Sequence, residues 1–322
     1  MTTDADIVRA ADVLWAGGLV AFPTETVYGL GADARSPAAL RRLYAVKGRP
    51  ASHPVIVHLA SADQLDDWAA RVPTVARALG EACWPGPLTV VVARAAGVPD
   101  EVTGGLDTVA VRVPDQPVAL ALLREFGGGI AAPSANRFGR VSPTSASDVR
   151  ADLGADVDLV LDGGRCRVGV ESTIVDCSNG EPTILRLGGV PRERIEDVLG
   201  RRISVRDDGA IRAPGTLPSH YAPRAQVVVV DAHDLVPRAR AALDCALRVG
   251  VVAPKLPDGL PADVVVVGAP SDGDDYARSL YALLRKADAE RVDILLAVPP
   301  PEIGIGAAVA DRLRRAAGTG SA

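Results

Sequence analysis

With 322 residues the chain is long enough for one large hydrophobic core and a second, smaller one. Its formal net charge of −5, from 35 Lys and Arg against 40 Asp and Glu, gives no global reason to expect a nucleic-acid coat and leaves room only for a local basic groove. Aromatic residues make up 3%, too few for a surface that stacks many bases, and Cys83, Cys166, Cys177 and Cys245 lack zinc-knuckle spacing and read as free thiols in a reducing compartment.

The acidic start, Met1-Thr2-Thr3-Asp4-Ala5-Asp6, has no basic region followed by an apolar core. No apolar run approaches the roughly 20 residues that span a bilayer, so a cytoplasmic protein with no membrane association is expected. Ile7, Ala11, Leu14 and Trp15 recur at near-helical spacing over residues 5–16, Gly17-Gly18 stops that helix, and Leu19-Val20-Ala21-Phe22 reads as a strand. The strand runs into Pro23-Thr24-Glu25-Thr26-Val27-Tyr28-Gly29-Leu30-Gly31, where hydroxyls, a carboxylate and glycines replace apolar residues.

Ser36-Pro37 supplies a cap and a first-turn proline to a helix buried through Leu40, Leu43 and Val46, and Lys47 and Arg49 follow its end. Strands are expected over 55–59, 88–93 and 108–113, with helices near 63–70 and 73–82. A strand over 127–132 ends in Pro133-Ser134-Ala135-Asn136, and another over 156–162 precedes Gly163-Gly164. Residues 172–177 and 183–187 form a hairpin around Ser178-Asn179-Gly180-Glu181, and 192–199 is the last helix of a first domain, residues 1–205. So many closely spaced strands without intervening helices favour an α/β fold with an open mixed sheet over a regular doubly wound one.

Residues 206–224 are rich in Pro and Gly but carry His220 and Tyr221, so a docking linker is expected rather than a free spacer. Beyond it, strands near 225–230, 249–253, 264–267 and 294–297 alternate with helices near 234–248, 273–288 and 303–316, a compact Rossmann-like βα domain over 225–322.

Neither a Gly-x-x-x-x-Gly-Lys-Ser/Thr loop nor a Gly-x-Gly-x-x-Gly helix start is present, so any nucleotide must be held by side chains and scattered backbone donors. Lys47 and Arg49, two residues apart, share a face if the backbone is extended, as Pro50 favours at Arg49; they either grip a polyphosphate or form a solvated helix end. Arg112 and Arg186 interrupt apolar strands and need a carboxylate or phosphate partner, from substrate or from the protein. His58, alone, reads as a satisfied structural histidine. Pro133-Ser134-Ala135-Asn136 and Ser142-Pro143-Thr144 offer groups suited to ribose, base edges or an amino-acid carboxylate, or simply helix caps. Ser172 lacks a nucleophile elbow, which favours binding over covalent catalysis.

Together these motifs, in this order, with Trp84-Pro85-Gly86-Pro87-Leu88-Thr89 and Glu171-Ser172-Thr173-Ile174-Val175-Asp176, closely resemble the YrdC/Sua5 family of threonylcarbamoyl-AMP synthases in its two-domain Sua5-type form. The resemblance covers about residues 5–200, and Pro214–Pro223 with the following βα domain extends it to nearly the whole chain. It implies a YrdC-like twisted open mixed sheet followed by a smaller Sua5 domain. It also implies synthesis of L-threonylcarbamoyladenylate and pyrophosphate from L-threonine, bicarbonate and ATP, with Mg²⁺ accompanying the ATP. The product feeds a separate threonylcarbamoyl transferase complex that modifies position 37 of tRNA, and direct tRNA contact is a further expectation.

Carried over to this sequence, Thr24, Thr26, His58, Arg112 and Ser172, with the backbone of Ala132, resemble the threonine-binding set. Lys47, Arg49, Thr108, Ser134, Asn136, Ser142 and Arg186 resemble the ATP set, with Lys47 and Arg49 as the catalytic cations and Tyr221 as the contact of a linker lid. No carboxylate motif identifies metal ligands. From another class, a tRNA or double-stranded-RNA binding protein without turnover is the alternative. A carbamoyl-transfer module of the hydrogenase-maturation kind lacks support, because its cysteine pattern is absent.

Overall fold

The computed structural model describes residues 2–206 and 222–318. The chain divides into two compact units, Met1–Phe138 with Ser142–Thr216 and Gly139–Val141 with Leu217–Ala322. In the first unit the elements run α1 (Asp4–Trp15), β1 (Val20–Phe22), β2 (Gly29–Asp33), α2 (Pro37–Lys47), β3 (Ile56–His58), α3 (Thr74–Cys83), β4 (Leu88–Ala93), α4 (Asp100–Thr103) and β5 (Thr108–Arg112). They continue with α5 (Pro117–Phe126), β6 (Ile130–Ala131), α6 (Ala146–Leu153), β7 (Leu159–Val160), β8 (Thr173–Asp176), β9 (Thr183–Arg186), α7 (Arg192–Leu199) and β10 (Ser204–Val205).

The ten strands make one mixed sheet in the order β10-β9-β8-β4-β5-β3-β6-β2-β1-β7. β3 pairs parallel with β5 and β4 with β8, whereas β1–β2, β4–β5 and β8–β9 are antiparallel. The open mixed α/β sheet expected from the sequence is therefore the observed one.

Local chemistry fixes the helix ends that matter here. Thr3 and Asp6 form a capping box at α1, and Ser36 accepts from the Ala39 amide ahead of Pro37 at α2. Gln116 caps α5 in the same way before Pro117. Leu88, Val90 and Val92 of β4, Val109 and Val111 of β5, and Val57 of β3 pack on one face of the sheet with Leu40 and Leu43 of α2. On the other face α1 and α5 cover only the β1–β6 side, where Ile7, Leu14, Ala119 and Leu122 meet Val20, Phe22, Ile130 and Ala132.

Some expected elements differ. The helix near 63–70 is a 3₁₀ turn at Ala62–Asp67, and the strands over 127–132 and 156–162 shrink to β6 and β7. β6 is cut short because Pro133 has no N–H to give the ladder, although its register with β2 resumes in the Gly29–Ser134 bridge. β2, α4, α5 and β10 were not legible from the sequence.

The second unit holds β11 (Gln226–Val229), α8 (Leu235–Asp244), β12 (Val249–Val252), β13 (Val265–Gly268), α9 (Gly273–Ala289), β14 (Ile294–Ala297) and α10 (Gly306–Ala317). Its sheet, β11-β14-β12-β13, is parallel throughout, as a Rossmann-like unit requires. Leu235, Ala239, Val249, Val251 and Leu296 are among the residues of its core. Most of the expected linker, including His220 and Tyr221, lies outside the described residues.

Candidate active site

The half of the sheet face that α1 and α5 leave uncovered is where the polar residues collect. Its floor is a small apolar cluster of Ile56, Val91, Ala110, Ile174 and Leu185. Strand register places polar side chains on the same face: His58 lies opposite Arg112, two residues beyond Ile56 and Ala110, and Thr89 lies opposite Ile174, itself opposite Arg186. The Phe22 ring meets the His58 ring edge-on, with centroids 5.9 Å apart. Ala132, just after β6, donates its amide to the Ile56 carbonyl at 2.9 Å.

The β1–β2 connection delivers the next groups. Thr24 Oγ1 donates to Val27 O at 2.6 Å and accepts from the Thr26 and Val27 amides at 3.2 Å, so this hydroxyl shapes the turn. Thr26 Oγ1, 2.8 Å from Thr24 Oγ1, accepts from Arg112 Nη1 at 2.9 Å. Arg112 Nε donates to Gly86 O at 3.2 Å, and its Nη2 stands 2.6 Å from Glu25 Oε1 in an ion pair with side chains 4% and 0% exposed. Burial and the Arg112 charge push the His58 pKa down to about 3, so this imidazole is neutral at physiological pH.

A second cluster sits at the start of β8. The Ser172 hydroxyl is 2.7 Å from that of Thr89 and accepts from Arg186 Nη2 at 3.1 Å. Ser142 donates to Glu171 Oε1 at 2.8 Å rather than capping α6, whose cap is Ser145. Close approach demands glycine beside this cluster: a Cβ on Gly188 would stand 2.3 Å from the Glu171 carbonyl oxygen.

The third cluster surrounds the end of α2. Gly48 ends the helix at φ 63°, so Lys47 and Arg49 are joined through a left-handed residue and not by the extended backbone expected from Pro50. Both are nonetheless buried, at 2% and 8% exposure, and are not a solvated helix end. Lys47 Nζ donates to the carbonyls of Ser134 and Asn136, and Arg49 Nη2 donates to Pro54 O at 2.8 Å. Burial, then the Arg49 charge, pull the Lys47 pKa well below its usual value, while its two carbonyl acceptors favour the charged form.

Backbone pairing joins the three clusters. The Leu30 amide donates to Pro133 O and the Ala135 amide to Tyr28 O, each at 2.8 Å, and the Tyr28 amide donates to Pro143 O at 2.9 Å. The Thr24–Leu30 segment is thereby held between the Ser134–Asn136 and Ser142–Thr144 loops. Thr108 shares the face of Arg112 but starts β5 where Arg112 ends it, roughly 13 Å away along the strand. Tyr221 lies outside the described residues.

Several buried side-chain atoms here have no hydrogen-bond partner: both Glu25 oxygens, His58 Nδ1, Arg112 Nη2 and Thr144 Oγ1. Such atoms are uncommon in native interiors, and they gather here on the uncovered part of the sheet face, with Arg112 Nη2 and Glu25 Oε1 meeting each other as an ion pair. Glu25, Glu171 and Thr89 received no role from sequence reasoning: the two carboxylates sit among hydroxyl residues, without the apolar surroundings that singled out Arg112.

Residues 12–188 match the model of the Sua5/YciO/YrdC family, described as telomere recombination. The chain belongs to this family. Residues 190–318 match a second, Sua5-type model, the threonylcarbamoyl-AMP synthase C-terminal domain. Relatives of the chain include the threonylcarbamoyl-AMP synthase of Pyrococcus abyssi, 42% identical over 96% of this chain and 93% of that protein. That of Bacillus subtilis is 40% identical over 98% and 94%. The crystal structure of P. abyssi Sua5 complexed with L-threonine superposes with a TM-score of 0.93 at 41% identity, covering 98% of this chain and 95% of that one.

Proposed function

We infer that this Sua5-type chain makes L-threonylcarbamoyladenylate and pyrophosphate from L-threonine, bicarbonate and ATP, as the activated donor for N6-threonylcarbamoyladenosine in tRNA. The observation that carries this reading is the buried assembly of His58, Arg112, Ser172 and Arg186 around the Thr24–Leu30 segment, in a chain aligned nearly end to end with enzymes of that name.

The chemistry sets the demands. The neutral threonine amine attacks the carbon of bicarbonate, a C–O bond breaks and water leaves to give a carbamate, whose carboxylate attacks the α-phosphorus and expels pyrophosphate. Adjacent anions must be held against their repulsion, which falls to fixed cations in a cleft of low dielectric. In our assignment Thr24, Thr26, His58, Arg112, Ser172 and the Ala132 backbone hold threonine. Thr24 acts by shaping the turn, and neutral His58 contributes a hydrogen bond rather than a charge. Lys47, Arg49, Ser134, Asn136, Ser142 and Arg186 serve the nucleotide, with Thr108 at the far end of the floor.

For Mg²⁺, the one group of three His, Asp or Glu side chains close enough to share a metal among the described residues is Asp231, His233 and Asp234 in the second unit, the first two exposed and Asp234 half-buried. In our reading Mg²⁺ enters with ATP, held mainly by phosphate oxygens.

No helix among the described residues is long and apolar enough to cross a membrane. A cytoplasmic site of action, delivery to a threonylcarbamoyl transferase and any direct tRNA contact belong to the same proposal. The RNA-binding alternative draws no support from Lys47, Arg112 and Arg186, which are buried rather than displayed. The test is pyrophosphate release with single omissions: release that needs threonine, bicarbonate and ATP together supports the reading, and release indifferent to bicarbonate overturns it.

A further inference from the structure

A site that must gather a triphosphate, bicarbonate and an amino-acid carboxylate has little obvious use for a carboxylate of its own, yet Glu25 is fully buried against Arg112, 2.6 Å away. Arg112 spends Nε on Gly86 O and one Nη1 donor on Thr26 Oγ1. The Glu25 contact is an ion pair between Arg112 Nη2 and Glu25 Oε1, and Glu25 Oε2 has no hydrogen-bond donor. The result is a buried pair whose charge is balanced within the protein.

An unbalanced guanidinium in a dry cleft binds whichever anion is densest, and the proposed reaction consumes a triphosphate and releases pyrophosphate. A guanidinium balanced by its own carboxylate offers a simple anion no net charge. It suits a ligand that brings a carboxylate for the arginine and an ammonium for the acid, which is a free amino acid. We propose that Glu25 is a specificity-determining residue that sorts ligands by charge: by balancing Arg112 it makes this sub-site accept zwitterionic threonine and refuse phosphate. The proposal rests on the assignment of Arg112 to threonine.

The test is calorimetric titration of the full-length protein with L-threonine, with and without inorganic phosphate, on wild type and Glu25→Gln. Wild type is expected to bind threonine with no effect of phosphate. Glu25→Gln is expected to lose about tenfold in threonine affinity, and phosphate is expected to compete with threonine in that variant. Threonine affinity and phosphate insensitivity both unchanged in Glu25→Gln would overturn the proposal. Should that variant fail to fold, Glu25→Asp decides, since it keeps the charge but shortens the reach. Weakened threonine binding with phosphate still excluded supports charge sorting, and phosphate competition in Glu25→Asp overturns it. Failure of wild type to bind threonine at all would instead remove the amino-acid assignment beneath the proposal.

Discussion

Arg186 turns both Nε and Nη2 onto the carbonyl oxygen of Ser172, at 3.1 and 2.8 Å, while Nη2 also reaches the Ser172 hydroxyl. A side chain assigned to the nucleotide is thereby seated on a residue assigned to threonine, so the two sub-sites share a joint. Arg186→Lys keeps the charge and loses the fork. We expect kcat/KM to fall roughly tenfold to a hundredfold for both ATP and threonine in steady-state pyrophosphate release. A loss confined to one substrate would contradict the shared joint.

Thr89 holds the other side of Ser172, with the two hydroxyls 2.7 Å apart and both residues buried. Thr89→Val preserves shape and removes that partner. The expected cost is about 1 kcal/mol in denaturant unfolding, because the buried Ser172 hydroxyl keeps Arg186 but loses its other partner, together with a raised threonine KM. Wild-type stability in this variant would mean that Ser172 is held by Arg186 alone.

His58 titrates near 6.5 when unfolded and is pushed down to about 3 in the fold. Between those values the unfolded chain binds a proton that the folded chain refuses, so stability falls as the solution is acidified below pH 6.5, by about 1.4 kcal/mol per pH unit from this group. His58→Gln should remove that component, leaving a loss between pH 6.5 and pH 5 smaller than wild type by about 2 kcal/mol. Identical acid slopes for the two proteins would show that the imidazole takes up its proton without unfolding.

Lys47 ties the end of α2 to the carbonyls of Ser134 and Asn136, so its loss should do more than remove a charge. Lys47→Met fills the space of the stem and strands two acceptors. Turnover is expected to drop by about a hundredfold or more, with unfolding easier by about 1–3 kcal/mol. Full stability with lost turnover would assign Lys47 to substrate alone.

Much of the fold was legible because continuous apolar runs such as Leu88–Ala93 mark buried strands and Ser36-Pro37 marks a helix start. β2 was hidden because Gly29 and Gly31, residues depleted in strands, occupy its ladder opposite Phe22 and Val20. Of the site, Arg112 and Arg186 were visible as charges in apolar strands, with the source of their partners left open. Only the fold shows that Arg112 has Glu25, far away in sequence, within ion-pair distance. The geometry of Lys47 and Arg49 was misread for a local reason. Pro50 constrains Arg49, but Gly48 between the two cations is free to turn left-handed, and it does.

The most direct measurement is mass analysis of the nucleotide product formed with isotopically labelled bicarbonate, threonine and ATP. The expected result is an adenylate adduct carrying one threonine and the labelled carbon, formed in step with pyrophosphate. Pyrophosphate release with no labelled carbon in the nucleotide fraction, under conditions where the adduct standard survives, would contradict it.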